Sequence, residues 1–457
     1  MNQPNLADKK QDIMRVIIVG AGEVGTHLAK LLSREKMDII LMDERADRVE
    51  GLDADYDMLT KVGVPTSIHD LQEIGVRDVD LFVAVTPSES ENMTACLIAN
   101  QLGAKKTLAR IDNYEYLLPE NRRFFEQMGL NHLIYPEVLA AQEICESLKK
   151  NWMRYHLTLC NGQLDLCVLK IREGAPMVGQ QFMSGFFSHG NYRIVAIKRN
   201  QDTIIPGGAD AVEVGDLIYA VCTHENMSVL RKEAGKSERD INNIIFFGGS
   251  KIAQKAILSL PEGKTVKVLE ADRELCEKLS EKLGEALIIH ADGSDMSVLK
   301  EEGIQDADAF VAVTEHSEAN IFACLAARRF GVRKTIAEIE NMDYISMAEQ
   351  LEVGAMLNKK TITASYIYRL LMKASVQNVQ HLTSADAEIV EFVVTEDSRI
   401  TRDVIKNMRL PQECNIGALV RAGEGILVNG DTQLLPGDQV VVFCKSNNLQ
   451  RIEKFFK

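Results

Sequence analysis

Val16-Ile17-Ile18-Val19-Gly20-Ala21-Gly22-Glu23-Val24-Gly25 is the stretch that decides how this chain reads. A short run of Val and Ile ending at glycine has the composition of a buried strand. The spacing Gly20-x-Gly22-x-x-Gly25 follows, and Val24, Leu28, Leu31 and Leu32 then fall on one face of a helix over Glu23 to Ser33. Strand, glycine turn and helix in that order are the context in which the motif cradles a dinucleotide. Gly20 allows the tight turn, Gly22 lets backbone N–H groups approach a pyrophosphate, and Gly25 lets helix and strand lie close. The helix N-terminus adds roughly 0.3–1 kcal/mol for a nearby anion.

The stretch occurs twice. It returns as Ile244-Ile245-Phe246-Phe247-Gly248-Gly249-Ser250-Lys251-Ile252-Ala253, and Val83-Ala84-Val85-Thr86 returns unchanged as Val311 to Thr314. Gly20 to Gly248, Val83 to Val311 and Asn92 to Asn320 share one offset of 228. A second kind of segment also repeats: Ile194 to Cys222 aligns on Ile416 to Cys444 without a gap, bringing Gly215-Asp216 onto Gly437-Asp438. The order is N-type, C-type, N-type, C-type, which suits a chain of 457 residues.

In the N-type units strands and helices alternate. Ile39 to Met42, Leu81 to Val85 and Lys106 to Ile111 read as strands, and Ser88 to Glu91 as a capping box for a helix over Asn92 to Leu102. Alternation of this kind predicts an α/β fold with a doubly wound parallel sheet, twice over. The C-type units read as small, β-rich α+β domains, with strands over Leu164 to Ile171, Tyr192 to Ile197 and Leu217 to Val221. Pro136 opens a helix striped by Val138, Ala141, Cys145 and Leu148, suited either to its own sheet or to a subunit contact. The expected division is 14–135, a connecting helix over 136–153, 154–236, 241–360, a second connecting helix over 361–378, and 385–457. The polar run Gly235 to Asp240 marks the middle linker, and the polar residues before Met14 read as a lead-in.

Three residues join the glycines. Asp43 lies 18 positions beyond Gly25, near the spacing at which a carboxylate holds the ribose hydroxyls and repels a 2′-phosphate. NAD or an adenosine nucleotide is thereby favoured over NADP, unless Asp43 only starts the next helix. Thr86 follows the fourth strand and should line the crevice at the switch point, cap the next helix, or both. Arg110 sits in an apolar strand and needs a partner, either a bound phosphate or a carboxylate such as Glu91 or Asp112. The candidate site is therefore Gly20, Ala21, Gly22, Glu23, Val24, Gly25, Asp43, Thr86 and Arg110. The second copy is degraded: Ser250 and Ala253 replace two glycines, and Glu338 stands where Arg110 does, although Glu270 and Asp272 remain as ribose candidates. Its expected role is mainly structural.

Composition narrows the function. Hydrophobic residues make up 46% and charged residues 26%, with no apolar run of the roughly 20 residues a membrane span needs. Nine scattered cysteines without metal-ligand spacing fit a reducing compartment. A net charge of −14 with no basic cluster argues against nucleic acid. No histidine forms a recognisable constellation with a carboxylate, and no nucleophile motif or phosphate-loop lysine occurs. No catalytic or metal-binding residue is assigned, and a nucleotide sensor is more economical than the alternative, a soluble NAD-dependent oxidoreductase.

The doubled arrangement resembles the Trk-type potassium uptake regulatory subunits, the TrkA family, built from two tandem pairs of RCK-N (KTN) and RCK-C domains. Gly20 to Gly25, Asp43, Val83 to Thr86 with Asn92, Ala109-Arg110-Ile111 and the turns Gly215-Asp216 and Gly437-Asp438 carry the resemblance. It covers residues 14 to 457. Gly63-Val64-Pro65 departs from the family's Gly-Asp after the third strand, whereas Ala291-Asp292-Gly293 keeps the Asp. The resemblance implies a cytoplasmic protein, peripheral on the inner membrane face, that docks on a Trk-type potassium-conducting subunit. It also implies binding of NAD(H) and of ATP or ADP, a homo-oligomer, expected to be a tetramer, and an Arg110 near nucleotide phosphates.

Overall fold

The computed structural model describes residues 14–33, 37–200, 202–237, 240–372, 378–381, 387–411, 413–445 and 449–456. The lead-in, the linker residues Glu238 and Arg239, and 373–377 of the second connecting helix as expected lie outside the described residues.

The first N-type unit is a six-stranded sheet of β1 (Arg15–Val19), β2 (Asp38–Asp43), β3 (Leu59–Val62), β4 (Leu81–Ala84), β5 (Thr107–Arg110) and β6 (His132–Ile134), in the order β3-β2-β1-β4-β5-β6. All pairings are parallel; Val16 lies opposite Ile39 on one side and Leu81 on the other. Helices on both faces require strands that are apolar throughout, and Val16 to Val19 are each at most 1% exposed. The helix Glu23–Leu32 buries Val24, Leu28 and Leu32 against the sheet. The strand order reverses between β1 and β4, so the crevice opens above their carboxyl ends.

The second N-type unit repeats this order with Leu287–His290, Thr265–Glu270, Asn243–Phe247, Ala309–Ala312, Lys334–Glu338 and Ala355–Leu357. Each C-type unit is a five-stranded antiparallel sheet. The first runs Asp202–Ile204, Tyr192–Arg199, Leu217–Cys222, Leu164–Lys170, Tyr155–Leu159, and the second has corresponding strands in the same order. The Gly-Asp turns are structural fastenings. Gly215 and Gly437 take φ of 92° and 93°, where a side chain is strained. The buried Asp216 accepts a two-pronged bond from Arg199, at 2.8 Å on each oxygen, and Asp438 does the same with Arg421 at 2.8 and 2.7 Å. The two C-type sheets share one apolar core, in which Leu157, Leu166, Val195 and Tyr219 of the first meet Ile389, Ala418 and Phe443 of the second.

The connecting helices run Pro136–Lys149 and Lys359–Met372. At its start the first packs on its own unit, Val138 against Ile111 and Leu133. Cys145 Sγ lies 3.5 Å from the carbonyl of Ala256, so the helix packs on Lys251–Leu258 of the second N-type unit. Residues 359–371 in turn form a compact unit with those up to Leu139, and the rest of the described chain forms another.

Candidate nucleotide site

The glycine turn is held from beneath. Gly20 has φ of 99°, and a Cβ there would sit 2.8 Å from the Thr86 backbone nitrogen. A Cβ on Gly25 would lie 1.9 Å from the Gly20 carbonyl oxygen, so both glycines are required by packing. Gly22 is different: a Cβ there meets nothing within 4 Å. Its bareness serves no contact in the protein and leaves the N-terminus of the helix open, with no side-chain cap. That is the space a pyrophosphate needs.

Asp43 is 5% exposed, and its carboxylate positions the turn. Oδ2 accepts from the Ala21 backbone at 2.7 Å and from Arg48 at 3.4 Å, while Oδ1 accepts from the Arg45 backbone at 3.0 Å. A ribose here would compete with Arg48, the longest of these bonds. Thr86 does not cap the next helix; Ser88 does, accepting from Glu91 N at 3.3 Å. The Thr86 hydroxyl instead donates to Glu91 Oε2 at 2.5 Å.

Asn92, only a landmark of the repeat in the sequence, is the fastening of the crevice. Its Oδ1 accepts from Thr86 N at 2.8 Å, and its Nδ2 donates to the carbonyls of Thr86 at 2.9 Å and Arg110 at 3.0 Å. It is 1% exposed and ties the ends of β4 and β5 together.

Arg110 meets neither carboxylate weighed for it. Glu91 is engaged by Thr86, and the nearest acidic partner of Arg110 is Glu137, with Nη2 3.9 Å from Oε1. That distance is long for an ion pair, and Arg110 Nε and Glu137 Oε2 are both buried without a hydrogen bond. A buried guanidinium N–H left unsatisfied is costly and is what an absent phosphate oxygen would leave. Two lysines that the sequence gave no reason to place here also arrive, from the second connecting helix. Lys359 Nζ is 3.7 Å from Glu137 Oε1, and Lys360 Nζ is 2.9 Å from Glu23 Oε1 in the glycine motif itself.

The second copy keeps the scaffold and alters the mouth. Glu270, one methylene longer and one position earlier in the repeat, accepts from Gly249 N at 2.7 Å as Asp43 does from Ala21. Asn320 bonds Thr314 and the Glu338 carbonyl as Asn92 bonds Thr86 and Arg110. Ser250, however, caps its own helix, accepting from Ala253 N at 3.4 Å, and Asp272 caps Arg273–Lys282 rather than standing free for a ribose.

The sequence reading found no histidine set against a carboxylate, but the fold makes one. Pairing of Tyr155–Leu159 with Leu164–Lys170 brings His156 Nε2 to 2.5 Å from Asp165 Oδ1, and His224 Nδ1 lies 3.3 Å from Oδ2. Burial pushes the Asp165 carboxyl up, but the bond from His156 and nearby positive charge outweigh it and hold it low. This cluster lies on the first C-type sheet, away from the glycine turn in the chain. Among the described residues no cluster of metal-ligating side chains is found, and no helix is long and apolar enough to cross a membrane.

Family models match in the same alternation as the sheets, the TrkA-N domain over 16–136 and 244–359 and the TrkA-C domain over 168–235 and 389–457. The Trk system potassium uptake protein TrkA of Haemophilus influenzae is 32% identical over 97% of this chain and 99% of its own length. The chain belongs to the TrkA family. The TrkA of Halomonas elongata (29%) and the TrkA homolog of Archaeoglobus fulgidus (30%) match over 97% of this chain and 99% and 100% of theirs. Among solved structures, the GsuK RCK domain has a TM-score of 0.58 at 15% identity, covering 100% of this chain and 98% of that one. A GsuK channel bound to NAD has a TM-score of 0.57 at 16% identity, covering 98% and 79%. At such identities the likeness shows the RCK fold alone.

Proposed function

We propose that this TrkA-family chain is a nucleotide-sensing regulatory subunit of a Trk-type potassium uptake system. It sits in the cytoplasm on the inner membrane face, docked on the potassium-conducting subunit, and has no catalytic role. Two observations carry the reading: the open face of Gly22, and, at the end of β5 in the same sheet, an Arg110 guanidinium whose buried Nε has no hydrogen bond. The family-model matches over 16–136, 168–235, 244–359 and 389–457 support the division into RCK-N 14–135, RCK-C 154–236, RCK-N 241–360 and RCK-C 385–457.

The ligand is NAD(H), with ATP and ADP as further ligands, since all share adenosine and a phosphate chain. Backbone groups of Gly20, Ala21, Gly22, Glu23, Val24 and Gly25 cradle the phosphates at the helix N-terminus. Asp43 accepts from the ribose hydroxyls in place of Arg48, Thr86 lines the crevice wall, and Arg110 donates to phosphate oxygens. A ligand that favours one arrangement of the RCK domains shifts the gate's population. Taking a gate from 1:99 to 99:1 needs about 5.5 kcal/mol of differential binding. In the expected homotetramer four first-copy sites would each contribute about 1.4 kcal/mol.

The test is calorimetric titration of NADH, NAD, ATP and ADP onto the purified chain, with oligomer mass measured alongside. For NADH and NAD one site per chain, weakened roughly 30-fold in Gly22→Val, is the expected result. A folded protein that takes up none of the four overturns the reading.

A further inference from the structure

A cavity of about 280 Å³ lies where the first C-type sheet meets the second N-type unit, well separated in sequence from the glycine turn. Seven of its lining residues are Lys or Arg and two are Asp, in a chain whose net charge is −14. Some of this charge is answered. Glu352 lies 3.7 Å from Lys170 and 3.5 Å from Arg328, and Asp308 lies 3.3 Å from Arg333. Four cations have no carboxylate at ion-pair distance among the described residues: Arg154, Arg172, Lys236 and Lys334. The lysines are tethered by carbonyl oxygens alone, Lys334 Nζ to Met153 at 2.9 Å and Lys236 Nζ to Lys170 at 2.6 Å.

Holding four cations around one small space is unfavourable unless something negative shares it. The strain is visible in the lysines. Burial, opposed by Glu143 and assisted by Arg154, pushes Lys334 down to about 7. Burial with Arg172 and Arg154 beside it, opposed by Glu352, brings Lys236 to about 8. The cavity is not sealed, because Arg172 is exposed at its mouth while Lys334 is buried at its floor.

We infer that this cavity is a second ligand site, independent of the glycine turn, that takes a small oligophosphate, either inorganic or the phosphate tail of a nucleotide. The volume admits a di- or triphosphate chain but lies at the lower edge of what whole drug-sized ligands occupy. Guanidinium groups from the C-type side and the buried ammonium from the N-type side would grip one anion from both domains, so binding fastens the C-type unit to its neighbour.

The experiment uses the full chain carrying Gly22→Val, which weakens the first site by roughly 30-fold. Pyrophosphate, tripolyphosphate and ATP are titrated by calorimetry at pH 7. We expect one site per chain, weakened roughly tenfold or more by Arg172→Ala and likewise by Lys236→Ala, two residues near the mouth whose loss leaves the fold intact by circular dichroism. Affinity falls between pH 7 and 9, because the anion must hold protons that Lys334 and Lys236 otherwise release. Equal affinity for tripolyphosphate and ATP identifies the phosphate chain as the whole ligand. At least tenfold tighter ATP identifies a nucleotide. Failure of all three to bind, or binding unchanged in both variants, overturns the inference while leaving the first site's reading intact.

Discussion

The two N-type units are one design kept in two conditions. Both glycine turns begin at φ near +100°, with Gly20 at 99° and Gly248 at 96°. Both pin the turn with a carboxylate, and both tie the neighbouring strand ends with a buried Asn. The copies part company at Gly22 against Ser250, Gly25 against Ala253, and Arg110 against Glu338. The first glycine, the pinning carboxylate and the buried Asn have survived, whereas Ala253 carries a Cβ where packing demands Gly25 in the first copy. The positions proposed to meet phosphate have changed, and Ser250 now satisfies the helix terminus from within. A fold and a site can therefore decay independently even when they occupy the same ten residues.

The largest effect tests the shared part. Asn92→Ala removes three buried hydrogen bonds and should lower the stability of its unit by about 3 kcal/mol. Asn320→Ala should cost the second unit a similar amount, both read from thermal unfolding. A loss in only one copy would break the equivalence. Next comes the divergent part. Gly22→Val should weaken nucleotide binding by roughly 30-fold, about 2 kcal/mol, and Ser250→Gly should create no binding in the second copy. New binding there would show that one side chain, not the whole mouth, silences it.

A third contrast is electrostatic. Lys106 is exposed in the first unit, while its counterpart Lys334 is buried in the second. With its folded value lowered to about 7 by burial, Lys334 holds fewer protons folded than unfolded between pH 7 and its ordinary value of 10.5. Stability thus rises with pH across that window, by up to about 1.4 kcal/mol per unit. Denaturant unfolding at pH 7 and 9 should show this slope, and Lys334→Met should reduce it, leaving the part that Lys236, lowered to about 8, contributes. The smallest effect is on stability at the turn. Gly22→Ala should change it by less than about 0.5 kcal/mol, since its Cβ enters open space, whereas Gly25→Ala must displace the Gly20 carbonyl and should destabilise measurably.

Much of this was legible because strand and turn signals are local. The apolar run before Gly20 and the constant offset between copies place both sheets without knowledge of any contact. What was illegible depends on which elements meet. Nothing near Lys359 or Lys360 in sequence points to Glu137 or Glu23, because the second connecting helix joins the residues up to Leu139 only in the folded chain. Arg110 was read as needing a partner, and the acid nearest it lies in a helix 27 positions on. The basic cavity was hidden for the same reason. Its cations are dispersed over more than 180 residues, so a search for charge runs passes over them.

The common core of the C-type sheets has a consequence for either half of the chain taken alone. A fragment ending near the middle linker would leave Leu157, Leu166, Val195 and Tyr219 without the surface that covers them, and the obvious remedy is an identical fragment turned to face it. A half-length chain expressed alone should therefore pair with a second copy of itself through this face.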